Sequence, residues 1–327
     1  MDFDSYASLK TVGPTLALAG SVSSETSTLS DVMLCPPAYL APVPCCSVTV
    51  ESLRNGFTLT RAEALEQHRQ LRVLLEDNGV NCHLLPPSAE LPDLCFMRDA
   101  AVMTPWGLLG LRPNARHRQS ETELVTRFAT SLGVKPLGQI YDGRVEGGDV
   151  CIARPGLIII GCSGDRTNWE GAQALAAIFK RWSWKVLVYR FDPHFLHLDT
   201  QFCMLDENTA LACLEVLDDA FICELKAHGI DLVEVSYKEA RRLACNVLSL
   251  GENRILAAAD NPRVSDVLLS RGFDVIEIDI SQFTRCGGGV HCLTLPLARS
   301  ADGTPSIATR HVHGMTRCAF ANGGPAT

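Results

Sequence analysis

The sequence predicts an α/β fold, and three observations carry that prediction. Short apolar runs of strand length alternate with amphipathic stretches of helix length. Glycine clusters at Gly147-Gly148 and Gly287-Gly288-Gly289 punctuate the alternation, where backbone angles or close approaches unsuited to other residues are expected. No linker rich in Pro or Ser divides the middle of the chain, so the pattern argues for one domain of repeated small α/β units. The units share no sequence repeat that aligns by eye.

Taken in order, residues 1–30 are rich in Ser and Thr, with SVSSETSTLS the clearest patch, and read as a flexible leader. A single domain is expected over 31–318, followed by a frayed tail, AFANGGPAT, over 319–327. Apolar residues at three- and four-residue spacing predict helices from Arg61 to Asn78, Gln119 to Leu132, Asn168 to Trp182, Tyr237 to Leu243 and Asn261 to Arg271. The third follows SGDRTN, which supplies capping side chains, and the last opens with Asn-Pro. Strands are predicted at Leu157 to Cys162, Trp184 to Tyr189, Thr209 to Cys213, Arg254 to Ala257 and Asp274 to Ile278.

Composition excludes several classes. With 46% hydrophobic and 20% charged residues over 327 positions, the chain is globular and can bury a core without disulfides or metal. A net charge of -8 argues against nucleic acid and anionic membranes as partners. The acidic start Met1-Asp2-Phe3-Asp4 does not resemble a signal peptide, and no apolar run is long enough to span a bilayer. The 14 cysteines, without a Cys-x-x-Cys pair, therefore read as reduced thiols in the cytoplasm. His311 and His313 lie two apart but lack nearby ligands, so they read as an ordinary strand pair, not a metal site.

Four stretches combine charged, glycine and nucleophilic residues in apolar surroundings: Leu91 to Glu121, VEGGDV through Arg166, LHLDTQFCMLDE, and CGGGVHCLTLPLAR. Singly they decide nothing, because most free cysteines are small buried hydrophobes and a histidine between leucines is usually a core residue. Together they supply one Cys, one His, several carboxylates and two arginines at loop edges.

Phe-x-Arg-Asp, Glu-Gly-Gly-Asp, Arg-Thr-Asn, His-Leu-Asp-Thr and Gly-Gly-Gly-x-x-Cys, in that order between about Leu91 and Arg299, resemble the guanidino-group-modifying enzymes. These are the arginine deiminases, dimethylarginine dimethylaminohydrolases and amidinotransferases. The resemblance implies a five-bladed pseudo-symmetric α/β propeller with a central active site. It also implies Cys292 as nucleophile, His197 as general acid and base, and Glu146 as its acidic partner. Asp99 and Asp199 would hold the guanidinium, Arg112 and Arg166 would clamp the substrate carboxylate, and Asp93 would be a further substrate-side acid. No metal or organic cofactor has a role in that scheme.

The chemistry suits these residue types. Carboxylates recognise a planar guanidinium bidentately, and opposed charges offset the cost of burying it. A thiolate is needed for attack, and a neighbouring imidazolium and the cationic substrate should both favour it. Arg98 and Asp199 stand as in the deiminases, whereas GGGVHC is similar to amidinotransferases. The expected function is hydrolysis of free arginine or an N-substituted arginine, such as N-hydroxyarginine, through a covalent thiouronium, giving citrulline or ornithine-type products. The alternatives are amidino transfer to an amine, or a non-catalytic arginine-binding protein. The expected partner is a small guanidino amino acid; a homo-oligomer is left open.

Overall fold

The computed structural model describes residues 18–300, whose fifteen strands form five three-stranded sheets. Strand β1 (Thr28–Leu34) leads through helices α1 (Ser47–Arg54) and α2 (Arg61–Asp77) to the parallel strand β2 (Asn81–Leu84). The next four sheets repeat one plan: an antiparallel hairpin, a helix, and a third strand parallel to the second. The first of them is β3 (Ala101–Thr104), β4 (Gly107–Gly110), α3 (Glu121–Ser131) and β5 (Pro136–Gln139). Then come β6 (Val150–Arg154), β7 (Leu157–Cys162), α4 (Trp169–Arg181) and β8 (Lys185–Arg190). The fourth sheet is β9 (Phe202–Met204), β10 (Thr209–Ala212), α5 (Asp219–Ala227) and β11 (Asp231–Glu234). After the single turn α6 (Tyr237–Ala240) follow β12 (Leu248–Gly251), β13 (Arg254–Ala258), α7 (Pro262–Ser270) and β14 (Asp274–Ile278). The short helix α8 (Ser281–Thr284) precedes β15 (Leu295–Ser300), which pairs antiparallel with β1 and closes the ring. The result is a five-bladed α/β propeller in which the first blade draws strands from both ends of the described chain.

The local sequence accounts for these elements. Strand β7 reads LIIIGC and is buried along its whole length, as the middle strand of a covered sheet must be. Helix α4 starts where the Asn168 side chain accepts from the Gly171 amide at 3.0 Å, and it buries Leu175, Ala176 and Phe179. Burying Leu175 and Phe179 contributes about 1.5–3 kcal/mol each. Pro262 opens α7, where its missing N–H costs nothing.

Two expectations need correction. The helix from Tyr237 stops at Ala240, and Leu243 has a φ of 61°, outside helical space. The leader does not extend to residue 30: Ser24, Glu25 and Thr26 are buried, and Thr28–Leu34 is a strand held on both sides. The Ser and Thr content hid its alternating burial. Residues 1–17, the tail and His311 and His313 lie outside the described residues.

Candidate active site

The propeller plan repeats one feature that matters for chemistry: a tight turn precedes the first strand of each blade. Asp99 lies in the turn Met97–Ala100 before β3, and Glu146 caps the turn Gly147–Asp149 before β6. His197 and Asp199 belong to the turn at Leu198–Thr200 before β9. Asn246 stands two residues before β12, and Cys292 three residues before β15. Five turns therefore aim side chains at one centre, and all six of these residues are buried.

The contacts there are short. His197 Nε2 is paired with Glu146 Oε2 at 2.7 Å, while His197 Nδ1 has no partner and lies 3.8 Å from Asp99 Oδ1. Asp99 accepts from the Gly148 amide at 3.0 Å and from Arg118 Nη1 at 2.6 Å. The Cys292 thiol donates to Asp199 Oδ2 at 3.5 Å, and Asn246 Nδ2 donates to Cys292 Sγ at 3.1 Å. Asp199 Oδ2 also pairs with His291 Nδ1 at 2.8 Å, leaving Oδ1 unpartnered. Two glycines permit this crowding: a Cβ on Gly148 would fall 2.6 Å from His197 Nδ1, and one on Gly289 would fall 2.5 Å from Asn246 Oδ1.

The electrostatics follow from burial and the acids. Burial disfavours charging His197, but Asp99, Glu146 and Asp149 outweigh it and push the ring up to about 10. Burial would raise Glu146; the hydrogen bond and charge of His197, with Arg166, instead hold it below the usual carboxylate range. Burial, then the charges of Asp199 and Asp99, raise the Cys292 thiol well above its ordinary value. Burial and these acids thus oppose ionisation of the sulfur, and His197 is not among the main influences on it.

Of these, Asp99, His197 and Cys292 line a cleft of about 360 Å³, together with Asp93, Phe96, Arg118 and Arg166. Arg166 donates to Glu146 Oε2 at 3.3 Å and to the Cys45 carbonyl, and Asp93 pairs with His117 Nε2 at 2.6 Å. Arg112 is not brought there. Its Nη1 donates to the Tyr141 carbonyl at 2.6 Å, and its exposed side chain lines a separate surface cleft. The isolated bridge Arg112↔Val145 fixes its backbone and turns the side chain aside. The buried Arg118 lines the cleft instead, held by Glu121 Oε2 at 2.8 Å as well as by Asp99. Sequence reading also missed Asn246, which the position before a blade's first strand would have flagged had the repeat been aligned. Asp99, Glu146 and His197 are close enough to share a cation, as are Cys45, Asp93 and His117.

The family described as N,N dimethylarginine dimethylhydrolase, eukaryotic, matches residues 49–299. The chain belongs to that family. Among dimethylarginine dimethylhydrolase relatives, the N(G),N(G)-dimethylarginine dimethylaminohydrolase of Pseudomonas aeruginosa is 31% identical over 251 residues, covering 75% of this chain and 94% of the relative. An arginine deiminase of Mycobacterium avium is 27% identical over 247 residues, 64% of this chain and 61% of the relative. The solved Pseudomonas aeruginosa enzyme in complex with citrulline superposes with a TM-score of 0.70 at 27% identity, covering 82% of this chain and 99% of that one. The N-terminal domain of ArgZ, a cyanobacterial arginine dihydrolase, shares the fold at a TM-score of 0.73 and 22% identity, covering 83% of this chain and 98% of that one. This member of the dimethylarginine dimethylhydrolase family is a hydrolase acting on carbon–nitrogen bonds of linear amidines. No helix among the described residues is long and apolar enough to cross a membrane.

Proposed function

We propose that the chain hydrolyses the guanidinium group of free L-arginine or an N-substituted arginine, with Cys292 as nucleophile and a ureido amino acid of the citrulline type as product. The observation that carries this reading is the convergence of a thiol, a paired histidine and two guanidinium-sized carboxylates on one buried centre. Asp199 Oδ1, buried and unpartnered beside the sulfur, is available to accept from a substrate N–H. Asp99 supplies the second carboxylate. Arg166 and Asp93 at the same cleft suit the α-carboxylate and α-amino group of a free amino acid.

The reaction follows from the electrostatics. A guanidinium between Asp99 and Asp199 offsets the negative charge that holds the thiol protonated, so binding lowers the Cys292 pKa and the thiol proton passes out through the cleft to solvent, to be regained after product release. The thiolate adds to the guanidinium carbon, and His197, charged without substrate, gives the Nδ1 proton to the departing amine. A covalent thiouronium remains. Neutral His197 then takes a proton from water, which attacks the same carbon and expels the thiolate. Glu146 keeps the ring oriented and stabilises its charged form. The thirteen cysteines among the described residues are all free thiols, which supports a reducing, cytoplasmic setting.

Mass spectrometry of products from purified protein tests the reading, with arginine, N-hydroxyarginine and N-methylarginines supplied with and without glycine. Citrulline formed without an acceptor is the expected result. Amidino transfer that requires glycine would overturn hydrolysis, and no turnover with any of these compounds would overturn the substrate class.

A further inference from the structure

A second cavity shares none of the cleft's lining residues, and its chemistry is unusual for a protein interior. Arg98 and Arg299 both line it, 5% and 7% exposed. Nη2 of Arg98 and both Nε and Nη2 of Arg299 are buried without a hydrogen-bond partner. The remaining guanidinium contacts go to backbone: Arg98 Nε to the His291 carbonyl at 3.3 Å, and Arg299 Nη1 to the carbonyls of Ser27 and Ser249 at 2.6 and 2.8 Å. Carbonyls accept the hydrogen bonds but supply no net negative charge.

The one acid in the lining is Glu25. Its Oε1 already accepts from the Cys151 thiol at 3.0 Å, and its Oε2 lies 3.8 Å from His291 Nε2. Two guanidinium cations thus face one carboxylate that other groups engage, and the other lining residues are Val, Ile, Leu, Met and Pro, without a polar side chain among them. A buried cation left without a counter-charge is costly, and two sharing one cavity repel each other as well. Among the side chains that line the cavity the excess is one positive charge; Asp199, outside that lining, also feels the charge of Arg98.

We propose that this cavity binds one small monoanion of the halide class, chloride under ordinary salt, between the side chains of Arg98 and Arg299. A single negative charge balances the excess, and a sphere accepts the converging N–H groups of two guanidinium forks without demanding a planar partner. Burial and then the Arg98 charge push Arg299 down to about 9, a direction that an adjacent anion opposes. The site also touches the loop that carries Cys292. The Arg98 backbone N–H donates to the Cys292 carbonyl at 3.2 Å, and its side chain holds the carbonyl of His291. A bound anion would steady Arg98, which braces that loop as a positioning residue.

The test uses the full chain in two measurements. Thermal unfolding is followed as chloride replaces gluconate at constant ionic strength, and crystals soaked in bromide are examined for anomalous scattering. The expected results are a midpoint that rises saturably with chloride, loss of that rise in Arg299→Met and in Arg98→Met, and a bromide peak between the two guanidinium groups. A midpoint indifferent to chloride in the wild type, with only water in the cavity, would overturn the site. A bromide peak without chloride-dependent stabilisation would mark an adventitious ion only and would overturn it equally.

Discussion

His68 and His197 are both fully buried, yet their surroundings drive them to opposite charge states. His68 lies on α2 among the core contacts of the first blade, where burial, reinforced by Arg72, pulls it down to about 3. In the ring of turns the same burial is overcome by Asp99, Glu146 and Asp149, and His197 rises to about 10. Dehydration alone makes a histidine neutral; only a surplus of carboxylates holds it charged where water cannot reach it. The same burial therefore favours the neutral ring at His68, while the surrounding acids favour the charged ring at His197.

Replacing the proposed nucleophile should give the largest effect. Cys292→Ser should lower kcat by roughly a thousandfold or more while arginine still binds, read by steady-state kinetics beside calorimetric titration. Full activity in that variant would remove the site from the comparison altogether. Next comes Glu146→Gln, which keeps the shape of the His197 contact but removes a charge. We expect kcat to fall about 100-fold and the His197 pKa, followed by NMR, to drop. An unchanged histidine pKa would break the claim that carboxylates set its charge.

Arg166→Ala should raise KM roughly tenfold to a hundredfold with little change in kcat, as loss of a charge-assisted contact predicts. A fall in kcat at saturating substrate would instead place Arg166 in the control of Glu146, which it touches at 3.3 Å. The pH dependence of stability separates the two histidines more subtly. The raised His197 pKa contributes stability present below its ordinary 6.5 and lost as pH rises through about 10. The lowered His68 pKa contributes stability present above 6.5 and lost as pH falls towards about 3. Denaturation midpoints across pH should therefore lose part of the alkaline decline in His197→Asn and part of the acid decline in His68→Gln. The smallest effect is expected from Arg112→Ala, less than about twofold in kcat/KM, because a surface residue away from special features usually matters little. A large rise in KM would return Arg112 to the substrate.

Much of this was legible in the sequence because the site residues sit inside short local motifs. Glu146 precedes two glycines, of which Gly148 leaves room for the His197 ring, and His197 stands two residues before Asp199 in one turn. Helices α2, α4 and α7 were readable from their spacing, since an amphipathic face is a local property. The short strands β3 to β6 were not. They are four or five residues each, and all but β5 are largely buried, so no alternation marks them.

What the sequence determined by itself is therefore the α/β class, the reactive residue types and the motifs that carry Cys292, His197, Glu146 and Asp199. Which of the arginines reach the cleft was decided only by the tertiary structure. Arg112 and Arg118 lie six residues apart on one loop, yet backbone pairing with Val145 turns the first outward and the acids Asp99 and Glu121 draw the second in. Asn246 reaches Cys292 across 46 positions of sequence because both lie at the head of a blade, and closure of the ring alone brings those heads together.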